Sequence, residues 1–308
     1  MNWTPWARVE GFNFTDIIYE KKRHDTGGLV ARLTFNRPAA LNAFTGHTLQ
    51  EMARAFEDAT NDALVGVVIL TGTGTTAFSS GGDVRWESTQ DFQTLFQNRE
   101  VMPNSLFRKC RKPLIAAVRG YAIGAGNHMA YCCDFTIATQ DAIFGQNGPM
   151  VGSPAHGWII SYLTSIVGMK KAREIWMLCR RYTASEAMAM GLVNAVVPPE
   201  KLEEEVDRWC EEILAKSPTC IQVLKESFDR EIDVLHSASG PFGQIVESIN
   251  PEFMNSEERR EGFTSFLEKR IPSFWRKLRP KRPAPVAAPA PQGWQAVNPG
   301  VEVFGKRT

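Results

Sequence analysis

Two glycine-rich turns hold the residues best suited to chemistry. The first spans residues 77–83, AFSSGGD, and follows a compact β-branched run at Val65–Thr71. The second spans residues 120–128, GYAIGAGNH, and follows a similar run at Pro113–Arg119. Its glycines open a helical stretch that runs through Met129–Cys133. The first N–H groups of a helix lack an intrahelical acceptor and sit at the positive end of its dipole. Small residues let a ligand oxygen approach that backbone closely. If the two turns face each other, the amides of Gly82 and Ala125 make a two-donor hole for negative charge developing on oxygen. Either turn alone reads most simply as chain punctuation. The pair, in this order, points to chemistry.

Three side chains nearby could position groups or move protons. His128 stands one turn into the second helix, and Ser153 and His156 share the segment SPAHGW at 153–158. A histidine titrates near neutrality, so it can take a proton from water or return one to carbon. Each histidine also has an ordinary reading, His128 as a buried helix residue beside Asn127 and His156 as a loop residue bonded to backbone. Ser153 reads as a positioning hydroxyl, because no Gly-x-Ser-x-Gly elbow surrounds it. Six cysteines (Cys110, Cys132, Cys133, Cys179, Cys210, Cys220) show no CxxC spacing. They read as reduced core thiols, and no metal site is expected.

The elements that must position these residues alternate between strand and helix. Ile17–Glu20 and Leu29–Asn36 predict a hairpin with its turn at Asp25–Gly28. Leu41, Phe44, Leu49, Met52 and Phe56 have helical spacing and predict a helix over Leu41–Asn61. Val65–Thr71, Pro113–Arg119 and Asp134–Thr139 read as buried parallel strands. Each is followed by glycine-rich punctuation and a helical stretch, the pattern of stacked ββα turns. Helices are predicted over Lys170–Arg180, Ser185–Met190, Pro199–Ser217, Pro218–Glu231 and Ser256–Lys269. The Glu203–Glu205 run with Arg208 reads as a solvated helix face, and Trp209 and Cys210 as its buried face. The organisation is therefore an N-terminal extension (1–13), an α/β core (14–198), a helical C-terminal lobe (199–279) and a Pro/Ala-rich tail (280–308). The tail has no apolar periodicity and is expected to be flexible, with Trp294 and Phe304 as its only anchors.

Bulk properties narrow the function classes. The chain has 308 residues, 43% of them hydrophobic and 22% charged, with a net charge of +1. That balance gives no reason to expect a nucleic-acid partner. No apolar run approaches the length of a membrane span, and the N-terminus lacks the pattern of a signal peptide. A cytoplasmic protein is expected.

Several segments together resemble the crotonase, or enoyl-CoA hydratase/isomerase, superfamily. They are NRPAALNA (36–43), FSSGGD (78–83), KPLIAAVRG (112–120), AIGAG (122–126), CDFTIA (133–138) and FGQ (144–146), and the resemblance runs from about Phe14 to Trp275. It implies a spiral of ββα repeats with a C-terminal helical lobe, assembled as homotrimers or homohexamers. It implies that Gly82 and Ala125 hold the oxygen of a coenzyme-A thioester. It places CoA along Arg37, Ala39 and Leu41, with Ser80, Gly81 and Asp83. Trp86 has two equal readings, as a lining residue of the acyl pocket or as an ordinary core residue. CoA enters as part of the substrate, with no tightly bound cofactor.

The segments 145–153 and 167–182 resemble the subgroup of 1,4-dihydroxy-2-naphthoyl-CoA synthase and 2-ketocyclohexanecarboxyl-CoA hydrolase. Some of its members bind bicarbonate as a stand-in catalytic carboxylate, and Gln146, Gly148 and Trp176 match that pocket. The two glutamates that serve hydratases as acid and base are absent; His128 and Gly148 stand in their places. An aspartate and a tyrosine of the subgroup are replaced by Ala155 and Phe253. The expected reaction is hydrolytic carbon–carbon cleavage of a cyclic β-ketoacyl-CoA, with water activated by His156 or His128. Alternatives are the reverse Claisen ring closure, an atypical hydratase or isomerase, and a non-catalytic acyl-CoA-binding subunit.

Overall fold

A computed structural model describes residues 2–89, 103–155, 157–237 and 244–277. His156 and the 280–308 tail lie outside the described residues.

The strands form two sheets. The larger has the order β1(Ala7–Arg8), β2(Ile17–Arg23), β3(Leu29–Phe35), β4(Val65–Gly72), β6(Leu114–Val118), β8(Phe135–Thr139), β11(Ala195–Val197). The first three pair antiparallel, and β3, β4, β6, β8 and β11 run parallel. The smaller has the order β10(Arg181–Thr183), β9(Ile143–Gly145), β7(Tyr121–Ile123), β5(Ala77–Ser79). Each central strand of the large sheet is followed at once by a short strand of the small one: β4 by β5, β6 by β7, β8 by β9. This is the predicted spiral of ββα repeats.

The parallel strands read as continuous apolar runs because the sheet is covered on both faces. Val67, Ile69, Ile115, Ala117 and Ile137 face Leu202, Val206 and Cys210 of the helix Leu202–Leu214. The alternate residues Val68, Leu70, Leu114, Ala116 and Val118 face the main core with Met52, Phe56 and Met129. Each fully buried Leu or Ile contributes about 1.5–3 kcal/mol.

The helices are α1(Gly46–Asn61), α2(Val84–Thr89), α3(Pro103–Lys109), α4(Ala125–Cys132), α5(Trp158–Val167), α6(Met169–Leu178), α7(Ala184–Ala189), α8(Leu202–Leu214), α9(Pro218–Ser237), α10(Gln244–Ile249), α11(Glu257–Leu267) and α12(Phe274–Lys277). The C-terminal lobe is helical as predicted. Lys225 of α9 reaches into the core and pairs with Asp134 at 2.5 Å, whose carboxylate also accepts the Leu114 N–H at 2.7 Å. The six cysteines are free, and burial pushes the thiols of Cys110, Cys132, Cys133 and Cys210 up, away from reactivity.

Several elements differ from expectation. Helix α1 begins at Gly46, not Leu41. Pro38 starts a single 3₁₀ turn, Leu41 and Asn42 adopt positive φ (52° and 54°), and Thr45 caps the helix by accepting the Thr48 N–H. Phe44, which keeps helical spacing, instead bridges to Gly82. Helix α5 and the short strands β5, β7 and β9 carry no periodicity that predicts them. Residues 3–8 are docked by charge against aromatic rings. The buried Lys22 ammonium lies 4.5 Å from the ring centres of both Trp3 and Trp6 and pairs with Asp207.

Asn42 is the node of the loop preceding α1. Its buried amide donates to Thr73 O at 3.0 Å and Ala77 O at 2.7 Å, and its Oδ1 accepts the Arg37 N–H at 3.1 Å. Asn42→Ala leaves these buried groups unpaired and puts a less suitable residue at positive φ. It should cost about 2–4 kcal/mol, read as a lower midpoint in urea unfolding; an unchanged midpoint would contradict this role.

Candidate functional site

The two turns do face each other. Strands β5 and β7 pair in parallel, Ala77 against Tyr121 and Ser79 against Ala122. Strand β9 pairs on the other side of β7, Ala122 against Phe144 and Ile123 against Gly145. β7 and β9 end together and β5 one residue earlier, with an irregularity between Ala77 and Ser79, so the turns that leave them lie at the same end of the sheet. Gly81, at φ 96°, is the closest point: a Cβ there would lie 2.9 Å from the Ala125 nitrogen. Any side chain at Gly126 would overlap the Ser79 carbonyl. Glycine is required at both places for the turns to meet.

The first turn is stitched down on both sides of Gly82. The Phe44 N–H donates to Gly81 O at 2.9 Å, and the Asp83 N–H donates to Phe44 O at 2.9 Å. Ser80 N–H donates to Leu41 O, and Ser79 Oγ donates to Asn42 O while accepting the Gly81 N–H. The Gly82 N–H has no acceptor among the described residues. The second turn ends in Gly124, at φ 58°, which leaves α4 without a side-chain cap. The first helical bond into Gly124 O comes from His128 N–H, so the Ala125 N–H also lacks an acceptor among the described residues. Both turns thus carry an N–H without an acceptor among the described residues, and the turns approach each other at Gly81 and Ala125.

Asp83 closes the first turn and starts α2. Its Oδ1 accepts the N–H groups of Arg85 and Trp86 at 3.1 and 3.3 Å. Its Oδ2 pairs with Arg37 at 3.1 Å, and Arg37 also donates to Ala43 O at 2.5 Å. Arg37 is thus engaged within the protein, while Ala39 and Leu41 are exposed beside it. The Trp86 ring rests against Gly46 at the start of α1.

A second cluster forms behind α4. His128 Nε2 and Gln146 Oε1 are 3.0 Å apart, and the His128 ring lies 5.0 Å from that of Trp176. Burial pushes His128 down to about 4, partly opposed by Gln146, so it is neutral at pH 7 and its ring N–H donates to Gln146. Gln146 Nε2 and Trp176 Nε1 are buried with no partner among the described residues. The space at Gly148 is occupied, because a Cβ there would lie 2.6 Å from Ser153 O and 3.7 Å from the Trp176 ring. Ser153 N–H donates to Gly148 O, which holds the loop to this cluster through its backbone.

Glu87 is absent from the residues that the sequence points to. It lies one turn into α2, with its N–H on Asp83 O at 2.8 Å. That turn aims its carboxyl back so that a Cβ on Gly82 would overlap Oε1. Burial pushes Glu87 up to about 7, with Arg259 opposing and Asp83 adding to the shift. Arg259 comes from α11, which packs on α2 and against Gly152. Spacing could have flagged Glu87, since four residues separate it from Asp83, one turn of helix.

A family model described as enoyl-CoA hydratase/isomerase matches residues 25–277. An enoyl-CoA hydratase/carnitine racemase from Magnetospirillum magneticum is 27% identical, with 87% of this chain and 98% of that one covered and a TM-score of 0.67. An enoyl-CoA hydratase/isomerase from Xanthobacter autotrophicus Py2 is 31% identical over 83% of this chain and 94% of that one, at a TM-score of 0.69. A methylmalonyl-CoA decarboxylase in complex with 2-nitronate-propionyl-CoA is 28% identical over 80% and 94%, at a TM-score of 0.70.

The His128 shift has a consequence for stability. Its folded value, about 4, lies below its ordinary 6.5. The unfolded chain therefore binds the proton first, and stability falls as pH drops through 6.5 until the folded histidine also titrates near 4. His128→Gln, which cannot titrate, should lose less stability than wild type between pH 7 and pH 5 in thermal melts; parallel losses would contradict this.

Proposed function

This chain belongs to the enoyl-CoA hydratase/isomerase family, and on that premise we propose that it acts on a coenzyme-A thioester, holding the thioester oxygen as an enolate on the Gly82 and Ala125 N–H groups. The observation that supports this reading is that each of the two turns brought together by β5 and β7 carries an N–H, Gly82 or Ala125, without an acceptor among the described residues. Fixed donors aimed at developing charge need no reorganisation when the charge appears, and each is worth about 3 kcal/mol of barrier. The matching decarboxylase is described with 2-nitronate-propionyl-CoA, whose name places an anionic group on the carbon next to the thioester.

The reaction we propose is hydrolytic carbon–carbon cleavage of a cyclic β-ketoacyl-CoA. Water adds to the ring ketone carbon. The bond from that carbon to the α-carbon breaks, and its electrons move into the thioester as an enolate held by the two N–H groups. A proton then returns to the α-carbon. This reading is supported by what stands where the resemblance puts the hydratase glutamates. One place holds His128, kept neutral and bonded to Gln146; the other holds Gly148, whose side-chain space is already filled.

A second reading is the reverse ring closure assisted by bicarbonate. It is favoured by the buried, unpaired Gln146 Nε2 and Trp176 Nε1, donors that a small anion would accept from. The homotrimer or homohexamer that the resemblance implies would draw on the exposed apolar residues Val223, Leu224, Phe228 and Val234 of α9.

Mass spectrometry of CoA thioesters after incubation separates these readings. 2-Ketocyclohexanecarboxyl-CoA should gain one water with CoA retained. Loss of water from succinylbenzoyl-CoA, dependent on added bicarbonate, would favour the second reading. Rapid water addition to crotonyl-CoA, with both the cyclic thioester and succinylbenzoyl-CoA untouched, would sink both.

A further inference from the structure

We propose that Glu87 is the proton-transfer group of this site, taking the proton from the attacking water and returning it to the α-carbon of the enolate. This rests on the enolate reading above and assigns to Glu87 the proton transfers that the sequence gives to His156 or His128.

The geometry is specific. Residue 82 supplies one of the two amides and has no side chain, and the Glu87 carboxyl occupies the place where that side chain would be. An oxygen held on the Gly82 N–H is two bonds from the α-carbon, so the carboxyl lies beside the atoms whose protons must move. Three contacts hold it there: the Asp83 carboxylate caps α2, the Glu87 N–H closes the first turn on Asp83 O, and α11 packs across α2. Toward the described residues the Glu87 carboxyl acts through charge, on Arg259 and Asp83.

Its surroundings suit the task. Burial raises its proton affinity, Arg259 from α11 lowers it, and Asp83 raises it, leaving a group that changes protonation near pH 7. A general acid–base works best when its pKa is near the working pH. In the cleavage, the carboxylate takes one proton from water as the hydroxide oxygen bonds to the ketone carbon. The carbon–carbon electron pair becomes the enolate, and the carboxylic acid gives the same proton to the α-carbon. One water is consumed and Glu87 ends as it began. Arg259 acts through Glu87 and is a positioning residue.

The test is exchange of the α-protons of butyryl-CoA in D₂O, which needs only enolate formation and not the true acyl group. Wild type should bind butyryl-CoA and exchange its α-protons, with a rate that rises through about pH 7 as the carboxylate forms. Glu87→Gln, nearly isosteric, should bind butyryl-CoA with an unchanged Kd and exchange about 100-fold or more slowly. Arg259→Gln should move the pH midpoint upward, a change that a purely structural loss would not produce. Wild-type exchange and an unchanged pH profile in Glu87→Gln would overturn the role of Glu87 and leave the enolate reading standing. Binding without exchange by wild type, or no binding, would overturn the enolate reading and this proposal with it.

Discussion

The site depends on the register of three short parallel strands. β5, β7 and β9 are three residues each, and each is the second strand of a successive ββα repeat. Because they pair in parallel, the turns leaving them lie at the same end of the sheet. The first turn presents Gly82, the second Ala125, and the third Gln146 and Gly148. Pairing between strands fixes where each turn leaves the sheet, with one irregularity between Ala77 and Ser79. An amide pair used for charge stabilisation needs such fixed placement, since its benefit lies in not reorganising.

The rest of the fold serves this register. The Asn42 node and the bridge from Phe44 to Gly82 lock the first turn onto the loop before α1. The tight approach of Gly81 to Ala125 leaves no room for the turns to slide. The C-terminal lobe closes the arrangement from the other side. Lys225 joins α9 to Asp134 at the start of β8, and α11 packs on both α2 and the loop around Gly152. Polar groups left unpaired in the described interior gather partly at this site, at Gln146, Trp176 and Asn127. Each such group costs about 1–3 kcal/mol unless something binds it.

Much of this could be read in the sequence, for physical reasons that also explain the rest. The long strands were legible because a sheet covered on both faces demands unbroken β-branched runs. Gly81, Gly82 and Ala125 were legible because only small residues permit such close backbone contact. The start of α1 was misplaced because Leu41 and Phe44 keep helical spacing while Leu41 and Asn42 take a left-handed path that hydrophobic pattern does not encode. Strands β5, β7 and β9 are too short to show a period. Glu87 was hidden by its company, because a glutamate in Val84–Thr89, between an exposed Arg85 and an exposed Ser88, reads as a solvated helix face. Only the packing of α11 and the absence of a side chain on Gly82 turn it inward. The glycine-rich turns carry the resemblance to the family, whereas positions 128, 148, 155 and 253 depart from it, and three-dimensional placement added most at Glu87.

The central claim is that two backbone N–H groups polarise a thioester carbonyl. An infrared difference spectrum of butyryl-CoA, labelled with carbon-13 at the thioester carbonyl, measures this without turnover. The account predicts that the labelled stretch moves to lower frequency on binding, as the Gly82 and Ala125 amides draw charge onto oxygen. A bound thioester whose carbonyl stretch stays at its solution frequency would contradict it.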